Sequence, residues 1–150
     1  MPFEEKMTWV SVVVGFLVPV TYFAVVLPQL GDTAASEIAY QAPLVVSVVV
    51  SIILMIVGAI AVAIATAIGA EITGAGSVDD MDRTDERDVQ ISRRGDVVGY
   101  YVASTGVVIA LIITMLEYDC FWIANTLYLS LAVAGLGGGI VKLRSYRRGF

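Results

Sequence analysis

The residues of this chain best equipped for chemistry in water are the acids and arginines between Glu71 and Gly95. Asp79, Asp80, Asp82, Asp85, Glu86 and Asp88 stand close enough in sequence to offer oxygen ligands to a hard divalent cation. The spacing of a calcium loop, with its glycine and closing glutamate, is absent, so no metal is assigned to them. A plainer reading is a solvated connector whose arginines set membrane topology and touch anionic headgroups. The third is a docking face made of Asp82, Arg83, Asp85, Glu86, Arg87 and Asp88. Asp82 and Glu86 are like charges four apart, and Arg83 and Arg87 repeat that spacing with the opposite sign. Such pairs mildly destabilise an isolated helix, although Arg83 with Glu86 and Arg93 with Asp96 offset this at spacing three. The pattern suits an oppositely charged partner, and docking is the functional expectation for the segment.

A second group of polar residues is set within apolar sequence: Ser104, Thr105, Thr114, Asn125 and Thr126. Thr114 and Asn125 lie at similar distances from a short turn, so they are expected to meet across a hairpin. Their reading is interhelical hydrogen bonding or, alternatively, the lining of a polar path. Asp119 and Trp122 mark the turn itself. For enzyme chemistry the sequence offers little, since a nucleophile beside a base and a phosphate-binding glycine loop are both missing. The chain has no His and one Cys, which excludes bis-His haem, Cys/His zinc sites and internal disulfides, and no cofactor is expected. Cys120 is read as an inert or interfacial thiol, with an intermolecular disulfide as the alternative. A formal charge of −5, with the basic groups dispersed among acids, speaks against nucleic-acid binding.

The elements that must position these groups are membrane spans. Hydrophobic residues make up 58% of the chain and charged residues 15%, with a mean hydropathy of +0.85. A hydrocarbon core of roughly 30 Å takes about 20 apolar residues to cross. Four such runs are present, over 8–30, 42–70, 97–116 and 121–141. Continuous runs favour helices over alternating barrel strands. The first run is long and lacks a convincing cleavage site, so it is read as a span rather than a removed signal.

All nine Lys and Arg fall in three patches: Lys6; Arg83, Arg87, Arg93 and Arg94; and Lys142, Arg144, Arg147 and Arg148. The two remaining connections carry only Asp32, Glu37, Glu117 and Asp119. This alternation predicts four crossings of the cell membrane with both termini cytoplasmic. The expected fold is all-α: an integral membrane four-helix bundle in a single domain. A charged cytoplasmic linker, 71–95, becomes helical from Asp82 or Thr84 and leads into the third span, and 142–150 forms a cytoplasmic tail. No Asp, Glu, Lys or Arg sits mid-span, which lowers the case for an ion-coupled pump but leaves a pore lined by hydroxyls or amides open. Small-residue ridges on the second span (Ala61, Ala65, Gly69) and in the fourth (Gly135, Gly139) predict close packing, within one protomer or between copies. Pro19 and Pro28 mark a kink and a helix end in the first span. Trp9, Tyr22, Phe121, Trp122 and Tyr128 fit aromatic belts near span ends.

Asp85-Glu-Arg-Asp88, Ile91, Arg94-Gly-Asp96, Gly99-Tyr-Tyr101, Asp119-Cys-Phe-Trp-Ile-Ala-Asn125 and the Lys142–Phe150 tail together resemble a group of small bacterial and archaeal membrane proteins of the DUF2178 type. The resemblance covers about 82–150. It implies a membrane protein without an established activity, and it directs interest to Asp85–Asp88 at one face and to Asp119, Trp122 and Asn125 at the other. Cys120 stands where His is expected in the resembling proteins. The functional expectation is association, as a homo-oligomer or as an accessory or regulatory subunit docking through the charged linker, with membrane lipids and another membrane protein or a second copy as partners. The alternative is a small oligomeric channel or exporter with a path near Thr114 and Asn125.

Overall fold

A computed structural model describes residues 3–73 and 86–148 of the chain. It contains α1 (Phe3–Val26), α2 (Gln41–Thr73), α3 (Glu86–Met115) and α4 (Cys120–Arg148), with two short 3-10 turns, Leu27–Gly31 and Ala35–Glu37, between the first two. All four helices are long and apolar enough to cross a membrane. The continuous apolar runs leave helix as the state in which every backbone group finds a partner inside its own segment. At about 1.5 Å per residue, the 33 residues of α2 and the 30 of α3 outreach a hydrocarbon core of roughly 30 Å. The charged stretch from Glu86 onward is therefore the first part of the same helix that forms the third span, as expected. The expected helix start at Asp82 or Thr84 lies outside the described residues.

Local chemistry explains the ends. Pro28 has no N–H to continue the α-helical ladder, and the chain tightens there into the 3-10 turn, whereas Pro19 sits inside α1 without ending it. After Met115, the Tyr118 N–H reaches the Ile113 carbonyl at 3.3 Å and the Glu117 N–H reaches Thr114 at 3.1 Å. This crossed pair, with Glu117 at φ 57°, is a Schellman closure in which Glu117 occupies the left-handed position usually given to glycine. Asp119 then immediately precedes α4, at the N-cap position where a carboxylate favours the helix dipole.

The helices pack in the order α2, α1, α4, α3. α1 and α4 lie at the centre, α2 packs mainly on α1, and α3 mainly on α4. The expected neighbours α3 and α4 are thus an antiparallel pair; the order of packing, which the sequence left open, is a row in which α2 and α3 stand at opposite sides. Bare backbone explains the tightest seam. A Cβ at Gly138 would lie 2.8 Å from the Gly95 carbonyl oxygen, and one at Gly95 would lie 2.7 Å from that of Gly138. Gly99 faces the Ala134 carbonyl at 3.3 Å by the same measure, and Gly106 faces Ser130. Only glycine lets two helix backbones come this close.

The small-residue expectations are partly redirected. Gly139 packs inside the protomer, against Val12 of α1, but Gly135 faces open space. On α2 the residue that receives α1 is Gly58, against Val10, while Ala61 and Ala65 are exposed. At the end of the molecule formed by the turns, Tyr22, Val26, Ile38 and Phe121 are buried together, with Phe23, Tyr40, Leu44 and Tyr128 around them.

Candidate functional site

The first turns of α1, the last turns of α4 and the ends of α2 and α3 that flank 74–85 gather at one end of the described structure. Lys6 donates to the Thr66 hydroxyl at 3.2 Å, tying the start of α1 to the end of α2. Arg147 lies over the Trp9 ring at 5.6 Å, tying the end of α4 to α1. Lys142 on α4 forms an ion pair with Asp96 on α3 at 2.8 Å and donates to the Ser92 hydroxyl at 3.1 Å. The glycine seam makes this possible, because the Lys142 stem runs across the face of Gly95 where any Cβ would strike it. Beyond Lys142, past the apolar run, burial raises the pKa of the Tyr146 hydroxyl. The nearby carboxylates of Asp88, Glu4 and Glu5 push the same way.

This geometry revises part of the charge reading. Asp96 was expected to pair with Arg93 along α3, yet its partner is Lys142 across the seam. Arg93 is exposed and carries no ion pair among the described residues. Of the predicted docking residues, Glu86 and Arg87 are exposed and Asp88 is half-buried against Tyr146, while Asp82, Arg83 and Asp85 lie outside the described residues. Among the described residues no group of His, Cys, Asp and Glu is placed to hold a metal ion. Asp79, Asp80, Asp82 and Asp85 are not among them.

Because α1 and α3 both lean on α4, a groove opens between them. One cavity of about 580 Å³ has α1 and α3 as walls and Ala134, Gly135, Gly138 and Gly139 of α4 as floor. A second, of about 720 Å³, continues along α3 past Asp88, Arg93, Val97 and Tyr101. Glu4, Asp96 and Tyr100 border both. Tyr100 is 69% exposed, with Tyr101 stacked edge-on beside it at 5.7 Å. The groove combines an apolar, small-residue floor with charge at one end.

The other predicted cluster is arranged differently from expectation. Asn125 is buried, 7% exposed, and its carbonyl oxygen accepts the Tyr22 hydroxyl of α1 at 2.9 Å. Its amide donates to the Phe121 carbonyl at 2.8 Å. Thr114 instead donates to the Ala110 carbonyl of its own helix and sits on the exposed side of α3. Thr114 and Asn125 therefore do not meet across the hairpin, because equal distance from a turn sets depth but not the rotation of each helix. Thr105 likewise bonds back to Tyr101, and Thr126 is half-buried on α4. Trp122 stacks edge-on with Phe121 at 5.2 Å, and Cys120 is a free, exposed thiol. The Tyr128 hydroxyl is buried with no hydrogen-bond partner among the described residues.

Sequence reasoning missed Tyr22 as the partner of Asn125, since a tyrosine near a span end reads as a belt residue. It also gave no weight to Glu4 or to Lys142 as members of a site. The signal for Lys142 was present in Gly95 and Gly138, whose pairing brings Asp96 within its reach. No family model, curated protein or solved structure matches this chain.

Proposed function

We propose that this protein works by association within the membrane, as a homo-oligomer or as a small accessory or regulatory subunit of another membrane protein. The observation that carries the reading is the open row of helices: α1 and α3 both pack on α4 and leave a groove between them over its glycine floor. Lipid tails gain little from filling such a floor compared with a helix whose backbone approaches closely. The positive-inside rule places both termini and segment 71–95 on the cytoplasmic side of a cell membrane. The exposed Glu86 and Arg87 at the start of α3 then join the linker charges Asp82, Arg83 and Asp85 as the aqueous part of the docking face. The resemblance to DUF2178-type proteins adds no chemistry to this reading.

The test is the mass of the complex. Native mass spectrometry from detergent, and subunit counting by photobleaching in liposomes, should both find more than one copy or a co-purifying membrane partner. A single copy by both methods, with no partner retained from native membranes, would refute association.

A further inference from the structure

We infer that the α1–α3 groove is the contact surface of a two-fold dimer in which Glu4 of each copy pairs with Arg93 of the other. The inference rests on the association reading and specifies its partner and register. Glu4 and Arg93 stand on α1 and α3, the two helices that flank the groove, and line the same cavity. Both are exposed, and neither has an ion pair among the described residues. The basic group nearest the floor, Lys142, is already committed to Asp96 and Ser92. Asp88, the other acid of that cavity without an ion pair among the described residues, is half-buried, whereas Glu4 is exposed. Glu4 and Arg93 are thus the exposed, unpaired charges of the cavity, one acid and one base on different helices.

Symmetry makes that surface self-complementary. Copies in one membrane share orientation, so a two-fold axis must run along the membrane normal and return every group at its original depth. When two grooves face each other about such an axis, α1 of each copy stands opposite α3 of the other. Glu4 then confronts Arg93 of the facing copy, and the reciprocal contact forms on the far side of the axis. Tyr100 projects from the wall shared by both cavities, above a floor where Gly135 has nothing within 4 Å of a Cβ position. In the dimer this ring is the knob that enters the partner's hollow. A partially desolvated charge near the membrane is costly alone and is relieved by its opposite, so the pairing selects the facing register over others at the same depth.

The pattern dictates an unusual exchange. Glu4→Arg alone would set Arg against Arg in a self-dimer, and Arg93→Glu alone would set Glu against Glu. Mixed with each other, the two variants regain an attractive pair at both contacts. Differently tagged copies reconstituted in phosphatidylcholine vesicles should show this by co-capture and by energy transfer. Each single variant should self-associate about tenfold or more weakly than the wild type. The mixture, and the double variant Glu4→Arg/Arg93→Glu, should return to within about threefold of it. Recovery in the mixture also shows that each variant is folded. Wild-type dimers with unaffected single variants, or a mixture that stays dissociated, would overturn this surface while leaving association standing. A wild type found as single copies in these vesicles would overturn both this inference and the homo-oligomeric form of the proposal.

Discussion

The two ends of this molecule are held by different physics. At the turn end, Phe121, Tyr22, Val26 and Ile38 form a buried cluster capped by the connection between α1 and α2, and the Tyr22 hydroxyl is satisfied there by Asn125. At the other end no comparable cluster forms among the described residues. Backbones meet at Gly95 and Gly138, and a lysine, a carboxylate and a serine close over the contact. The difference follows from solvent. A connection that folds back over helix ends can exclude water and gain from the hydrophobic effect. Between two helices already surrounded by lipid that term is small, and close approach with dispersion contact takes its place. Charge appears where headgroups and water are near, so Asp96 can remain 68% exposed while paired.

If this contrast is right, mutations at the two ends should fail in distinguishable ways. The largest loss is expected for Phe121→Ala, which empties a fully buried aromatic site at the turn end and should cost about 3 kcal/mol. Reversible unfolding in mixed micelles would measure it. Gly138→Val should cost about 2 kcal/mol by forcing the seam apart. It should also free Lys142 from Asp96, and a disulfide trap between α3 and α4 that still closed at the wild-type rate would break the argument for the seam.

Asn125→Leu leaves the Tyr22 hydroxyl without its acceptor and should cost about 1 kcal/mol. Tyr22→Phe/Asn125→Leu should recover part of that loss, and strictly additive effects in the cycle would mean the pair is uncoupled. The smallest effect is assigned to Lys142→Met. The ion pair is partly exposed, so the cost should stay under about 1 kcal/mol and shrink as salt is raised. Sensitivity to salt at Lys142 and insensitivity at Asn125 would sharpen the contrast between the ends.

Particular residues show why some of this was legible beforehand. The four spans, the turn over Pro28, the α3–α4 hairpin and the continuous helix from the charged segment into the third span all follow from local properties. Asn125 was identified as needing partners because its amide has no water at that depth. Its partner was not identified, since Tyr22 lies 103 residues away on another helix. Thr114, expected opposite Asn125, satisfies its own hydroxyl one turn back along α3. Glu4 drew no attention beside the denser charges of the linker, and only the fold brings it to the same groove as Arg93.

Sequence alone therefore determined that the chain makes four helices able to cross a membrane, and roughly where each begins and ends. Those properties add up residue by residue along the chain, through hydropathy, proline and capping. Tertiary structure decided that the helices form an open row with α4 as the floor of a groove. It decided that Asp96 answers to Lys142, and that Ala61 and Ala65 face outward while Gly58 faces α1. These outcomes depend on how each helix is rotated about its axis and which neighbour it meets. In a chain whose spans are apolar on every side, no hydrophobic stripe records that rotation; the fit of small residues against distant backbone sets it.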